Sequence, residues 1–529
     1  MYHAKSFYSI QNIVSKRNRS VFGPKLFAAF YPEFYKPQNY KKKLFLHPFK
    51  IQIMITFFIS LVLLILGYLF YGKLVERVFG VDDNRPTPAV TMADGVDYVP
   101  MKPWKLFLIQ FLNIAGVGPI CGAIMGAQFG TASYLWIVFG CIFGGAVHDY
   151  FSGMISLRNA GCSLPETHGK YLGNGIKQFM RGFMVLLMIL VGVVFVNTPA
   201  QLLQTQFTPN MSVYVWVVII LVYYLIATLL PIDKVIGRIY PVFGFLLMGM
   251  AVAIVVAFAV YQPEIPELWS GLQNRHPQAK ANPIFPMMFI SIACGAVSGF
   301  HATQSTLVAR CMTNERQGRH IFYGAMIVEG IVALIWAAAA SYFYNTNPAL
   351  QAKSGPAMVS HIANTWFPMI IAVVTVLGVI SAAVTSGDTA LRSARLIVAD
   401  FMHLEQRSIS KRLWIAIPMF AVTGGLLVFS LASPSGFQVI WQYFSWANQM
   451  LAAFTLWAVT VYLRRANDKP YFWIALVPAL FMTMVTVSFV FVSKTFLGAF
   501  IPRSAGYILA TLITIAVGQV FFRKTAKKK

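Results

Sequence analysis

Ser298, His301 and Gln304 stand three residues apart, a spacing that puts all three on one face of a helix. A hydroxyl, an imidazole and an amide together suit hydrogen bonding to a carboxylate or a carbonyl. The imidazole also titrates near neutral pH. The competing reading is a buried histidine satisfied by a neighbouring carbonyl. Three acids lie in or beside apolar runs: Asp149, Glu329 and Asp388. Ionisable groups inside a bilayer are costly, so each is a functional candidate by default. Asp388 follows Ala382-Ala383-Val384-Thr385-Ser386-Gly387, which sets it beside two hydroxyls. It also stands four residues before Arg392, where a simple surface ion pair is the alternative. Glu329 sits eight residues into its apolar run, where proton relay and structural pairing stay equally open. His148-Asp149, shortly before Arg158, reads as an interfacial pair that fixes a loop.

Two glycine-interrupted stretches are positioned to hold these groups. One reads Asn113-Ile114-Ala115-Gly116-Val117-Gly118-Pro119, and the other runs from Cys294-Gly295 through Ser298-Gly299 to His301. A break in a membrane helix frees backbone groups that protein, water or ligand must satisfy, because lipid offers no partner. Gly116 and Gly118 permit an unwound backbone, and Pro119 suits the first position of the half-helix that follows. Amides at such a helix end attract a carboxylate. Asn113, Gly116, Gly118, Pro119, Ser298, Gly299, His301 and Gln304 are therefore the candidate substrate-binding residues. The alternative for the glycines is close helix packing through small residues, which is the preferred reading for Gly122 and Gly126. Asn448 and Gln449 interrupt another apolar run and read as interhelical hydrogen-bonding groups.

The elements around these residues are membrane spans. Of 529 residues, 57% are hydrophobic and 11% are charged, with mean hydropathy +0.65. Soluble domains carry about 25% charged residues. At about 20 apolar residues per span, the expected spans are 51–71, 106–132, 134–155, 180–198, 212–230, 239–260, 284–308, 321–345, 366–390, 413–431, 439–463, 471–493 and 504–522, thirteen in all. The first is too long for a signal peptide and lacks a cleavage site. The net charge of +25 does not point to nucleic acid, because the basic residues lie in short loops between spans. With the C-terminus inside, inside loops after residue 71 hold 27 Lys and Arg against 5 outside, which favours a cytoplasmic C-terminus. Residues 1–50 break this pattern with ten basic residues, so a native start near Met54 is expected. Segment 391–412 reads as a helix continuing onto the inner membrane surface. Cys121, Cys141 and Cys294 read as small packing residues.

The two interrupted spans enter from opposite sides and lie five spans apart. Such pairing marks inverted repeats with a substrate site between them. The expected organisation is a basic extension (1–50), a peripheral span (51–71), a first repeat (106–260), a second repeat (284–463), and peripheral spans with a basic tail (471–529).

Several strings in fixed order resemble the carbon starvation protein A family, from about residue 54 to the C-terminus. They are Arg85-Pro86-Thr87-Pro88-Ala89, Asp94-Gly95-Val96-Asp97-Tyr98-Val99-Pro100, Ala115-Gly116-Val117-Gly118-Pro119, His148-Asp149-Tyr150-Phe151-Ser152-Gly153-Met154, Ser163-Leu164-Pro165-Glu166, Ile292 to Ala302, Thr385-Ser386-Gly387-Asp388-Thr389, and Ala447-Asn448-Gln449-Met450-Leu451-Ala452. The resemblance implies an all-α polytopic membrane protein with a leucine-transporter-like, five-plus-five inverted-repeat core. It implies a bacterial cytoplasmic-membrane transporter for peptides or, with proton coupling, pyruvate, linked to nutrient limitation. The chain carries Ile109-Gln110 where the longer members have a His pair. In sodium-coupled members of the wider superfamily the equivalent of the ninth span offers a small residue and hydroxyls to the ion, and Ala382, Thr385 and Ser386 have that spacing. With Asp388 and Glu329 they are the candidate ion-coupling set, for H+ or Na+.

The expected function is ion-coupled secondary uptake of a small carboxylate or short peptide, with no cofactor, no nucleic-acid partner and no enzymatic activity. A non-transporting nutrient sensor is the alternative. An intramembrane enzyme is a weaker one, since no HExxH, GxSxG or Walker A motif occurs.

Overall fold

The computed structural model describes residues 54–95, 98–229, 232–404, 408–433, 435–466 and 469–525, with the side chains of 232–239 left aside. The expectation for residues 1–50 lies outside the described residues.

Backbone groups in lipid must be satisfied within the segment, so long apolar runs fold as helices. In chain order these are α1 Ile55–Phe79, α2 Pro103–Ile114, α3 Val117–Gly126, α4 Ala132–Arg158, α5 Leu164–Leu172, α6 Asn174–Phe207, α7 Val213–Leu229 and α8 Ile232–Tyr261. They continue with α9 Gly299–Ala309, α10 Glu315–Thr346, α11 Gly355–Trp366, α12 Met369–Phe401, α13 Ile409–Ala432, α14 Gly436–Ala466, α15 Trp473–Val492 and α16 Arg503–Thr525. Among the described residues nine helices are long and apolar enough to cross a membrane. The bent pair α2–α3 makes ten. Each of the remaining three expected spans departs from an ordinary apolar span. α7 has 17 residues, the segment leading into α9 is broken, and α14 carries Asn448, Gln449 and two terminal arginines. Pro199, Pro241, Pro418 and Pro478 lie inside helices, which membrane proteins tolerate.

α6 and α12 form an extended pair, and α8 lies along α12 as well. α10 lies deep in the bundle, whereas α1 and α16 turn Phe58, Ile59, Val62, Ile508, Leu512 and Ile515 outward. In a bilayer such side chains face lipid.

Two local expectations are corrected. α12 does run on past residue 390, but it reaches the surface only at its end, where Asp400 and Phe401 are exposed. It continues to Phe401 with Arg392 and Arg395 buried, because Arg392 bonds the Ala227 carbonyl and Arg395 reaches the Thr228 hydroxyl at 3.3 Å on α7. Pro119 is the third residue of its half-helix, not the first. Gly116 is the N-cap, so the missing proline N–H still falls in the first turn, where no intrahelical partner exists.

Candidate functional site

The first break lies between α2 and α3, whose axes bend by 47°. Gly116 has an extended ψ of −144°, which interrupts the helical ladder. The carbonyls of Leu112 and Asn113 thereby lose their partners four residues on. Side chains of α12 replace them. Thr385 Oγ1 donates to Leu112 O at 3.2 Å, and Ser386 Oγ lies 3.2 Å from Leu112 O and 3.1 Å from Asn113 O. Thr385 Oγ1 also lies 3.0 Å from Ala382 O. The Tyr240 hydroxyl lies 3.3 Å from Asn113 Oδ1 and 3.4 Å from Thr385 O. A Cβ on Gly116 would stand 2.8 Å from Ser386 Oγ, so this close approach requires glycine. Ala382, Thr385, Ser386, Leu112 and Asn113 thus present oxygens to one another across the break, a donor set suited to a small hard cation.

The second break spans residues 292–298, between a short turn ending at Ser291 and α9. Its freed backbone is also satisfied by side chains. Trp136 Nε1 donates to Ile292 O at 3.2 Å, and the Gln449 side-chain amide donates through Nε2 to the Phe289 carbonyl. Asn448 Oδ1 accepts from Phe300 N at 2.7 Å and lies 3.2 Å from the hydroxyl of Ser298, the N-cap of α9. Gly299 packs onto α14, where a Cβ would lie 2.4 Å from Ala452 N. Asn448 and Gln449 therefore both serve the second break.

The two breaks touch. A Cβ on Gly118 would lie 2.2 Å from Cys294 Sγ, and one on Gly295 would lie 3.6 Å from Pro119 Cα. Gln110 Nε2 donates to Ser305 Oγ at 3.0 Å, a second bridge between the half-helices, whose partner the sequence did not single out. Gln304 turns its amide to Thr303 Oγ1 at 3.0 Å.

His301 meets the acids. Its Nδ1 lies 2.9 Å from Asp149 Oδ2, and its Nε2 lies 3.4 Å from Glu329 Oε2. His148 Nδ1 lies 2.7 Å from the other oxygen of Asp149. All four side chains are fully buried. The interfacial reading of His148-Asp149 is therefore corrected: α4 carries the pair into the interior, facing α9 and α10. Ser298, His301 and Gln304 do not converge on one partner. Ser298 goes to Asn448, His301 to Asp149, and Gln304 to Thr303.

The Asp388 carboxylate makes no hydrogen bond to the hydroxyls that precede it. Its ion pair is with Arg392 at 3.6 Å, and both residues are buried rather than at a surface.

Cavities lie at the two ends of the broken helices. One, of about 400 Å³, is lined by Gln128, His276, Ser291, Lys353 and Trp441. Burial holds the His276 imidazole below its ordinary pKa. The other, of about 500 Å³, is lined by Glu166, Thr303, Thr306, Arg310 and Asp400. The contacting breaks lie between these ends.

Interrupted helices in contact within a polytopic helical bundle define a transporter fold of the leucine-transporter-like class. Solved structures with this fold include a mutant of the Eremococcus coleocola manganese transporter (TM-score 0.50, 11% identity, 82% of this chain and 97% of that one). They also include a nucleobase-cation-symport-1 family transporter in a closed conformation (TM-score 0.50, 14% identity, 80% and 93%). The chain belongs to the carbon starvation protein CstA family, whose model matches residues 52–215, 200–374 and 352–489. It is 43% identical to an uncharacterized membrane protein of Haemophilus influenzae, over 56% of this chain and 93% of that one. It is 27% identical to the peptide transporter CstA of Bacillus subtilis, over 89% and 96%. It is 28% identical to the pyruvate/proton symporter BtsT of Escherichia coli, over 54% and 49%.

Proposed function

We propose that this protein is a secondary active transporter that takes up a small carboxylate or short peptide by ion-coupled alternating access, as part of a response to carbon starvation. The observation that carries this reading is the contact of two broken helices, Gly118 against Cys294, between cavities at their two ends. Paired discontinuous helices are where secondary transporters hold substrate and ion. The names of the relatives, peptide transporter and pyruvate/proton symporter, support the substrate class and the coupling.

In this reading residues 106–260 and 284–463 are the inverted repeats. Asn113, Gly116, Gly118, Pro119, Ser298, Gly299, His301 and Gln304 surround the substrate. The protein sits in the bacterial cytoplasmic membrane with its C-terminus inside, as the bias of 27 basic residues to 5 favours. The oxygens of Leu112, Asn113, Ala382, Thr385 and Ser386 fit a sodium ion in chemistry, and a bound ion would replace the hydroxyl-to-carbonyl bonds now joining α12 to the break. Asp388 and Glu329 are the carboxylates available for charge compensation.

Counterflow in proteoliposomes tests the reading. Vesicles preloaded with unlabelled pyruvate or a dipeptide should transiently concentrate the labelled form. Binding of either compound without counterflow would make the protein a sensor instead.

A further inference from the structure

We infer that the buried chain His148–Asp149–His301–Glu329 is a proton-binding site, with the exchangeable proton held between His301 Nε2 and Glu329 Oε2. The inference rests on the transporter reading for its consequence, but not for its geometry.

The four groups form a line with successive separations of 2.7, 2.9 and 3.4 Å, and none is exposed. An ionised Asp149 accepts from the Nδ1–H of both imidazoles, using one oxygen for each. That arrangement leaves Nε2 of His301 3.4 Å from Glu329 Oε2, with His301 Nε2 and both Glu329 oxygens buried and otherwise without a hydrogen-bond partner. Two states follow. With one proton between them, the pair is an imidazolium beside a carboxylate, or equivalently an imidazole beside a carboxylic acid. The whole chain then carries one net negative charge. Without that proton, a lone pair faces a carboxylate and two buried carboxylates flank a neutral ring. Uncompensated charge of that kind is expensive away from water. The close approach of His301 and Glu329 therefore belongs to the protonated state, and loss of the proton favours their separation.

The neighbouring titratable groups do not supply the missing charge. Cys141 on α4, Cys294 in the second break and His168 on α5 are the titratable neighbours of the chain. Arg392, the partner of Asp388, bonds the carbonyl of Ala227 on α7.

His301 rides on α9, the half-helix that follows the second break. Asp149 and Glu329 ride on α4 and α10. The same half-helix sends Thr303 and Thr306, and its C-cap Arg310, to the wall of the 500 Å³ cavity. Binding or release of this proton thus bears on the position of the element that walls one access route. The site is distinct from the oxygen cluster of Thr385 and Ser386, which holds no carboxylate or imidazole of its own.

The test uses Glu329→Gln, which keeps the shape and removes the acid, and Glu329→Asp, which keeps the acid. Infrared difference spectra of the purified full-length protein between acidic and alkaline buffer should show one buried carboxyl that titrates. The signal should vanish in Glu329→Gln and return, shifted, in Glu329→Asp. In proteoliposomes Glu329→Gln should lose accumulation driven by a pH gradient, and Glu329→Asp should recover part of it. A carboxyl signal unchanged in Glu329→Gln, or undiminished proton-driven accumulation by that variant, would overturn the inference. A titrating Glu329 in a protein that exchanges neither pyruvate nor a dipeptide would uphold the proton site and remove the transporter reading.

Discussion

Gly118 and Cys294 meet so closely that a Cβ on the glycine would lie 2.2 Å from the sulfur and 2.3 Å from the Cys294 Cβ. The two breaks are thus held against each other by the absence of a side chain. Gly118→Ala should destabilise the protein by ~1–3 kcal/mol, the range for overpacking a filled interior. Thermal melting in detergent checks this. Cys294→Gly in the same protein removes the opposing atoms and should recover most of the loss. An unchanged melting temperature for Gly118→Ala alone would show that the breaks are not in firm contact.

Asn448 should matter through the helix it caps. Its Oδ1 accepts from Phe300 N at 2.7 Å in the first turn of α9. Asn448→Ala leaves that buried amide without its partner, at a cost of ~1–3 kcal/mol. Asn448→Asp keeps an acceptor at the same place and should retain more stability than Asn448→Ala. Equal melting temperatures for the two variants would rule out the capping role.

The broad architecture was legible in the sequence because its signals are local. Glycines at Gly116 and Gly118, and apolar runs of membrane length, announce a broken helix without reference to the rest of the chain. The polar interior was less legible. Asp149 and His301 are 152 positions apart, and their pairing depends on how α4 packs on α9. His148-Asp149 looked interfacial because Arg158 follows it, yet one helix carries both the buried pair and the interfacial arginine. Arg392 and Arg395 looked like a surface stripe. The Ala227 carbonyl and the Thr228 hydroxyl at the end of α7, which receive them, could be found only in three dimensions.

Thr385, Ser386 and Asp388 separate sodium from proton coupling. Thr385→Ala with Ser386→Ala removes both hydroxyls from the first break. A sodium-coupled protein should lose sodium-dependent thermal stabilisation, whereas a proton-coupled one should keep its pH-driven uptake. Asp388→Asn should abolish gradient-driven accumulation while exchange survives. Full accumulation by Asp388→Asn would reduce Asp388 to a structural partner of Arg392.

Glu315 ties three segments at one end of the bundle. It receives Arg158 Nε at 2.9 Å and Nη2 at 2.8 Å, and also accepts from Asp82 N at 2.9 Å. The same arginine reaches the Phe79 and Gly80 carbonyls. Glu315→Ala should lower stability by about 3 kcal/mol, the lower part of the range for breaking a buried pair, since Arg158 is partly exposed and can rehydrate. Thermal melting of Glu315→Ala beside Glu315→Gln, which keeps one acceptor, checks the assignment. Indistinguishable wild-type and Glu315→Ala melting would contradict it.

Ion-driven accumulation by the full-length protein in proteoliposomes tests the central claim most directly. Labelled pyruvate and a labelled dipeptide are offered under an inward proton gradient, an inward sodium gradient, or neither. The account predicts that at least one substrate accumulates above its external concentration under one gradient, and that collapsing the gradient releases it. Equilibration without accumulation under every gradient, or no entry at all, would contradict it.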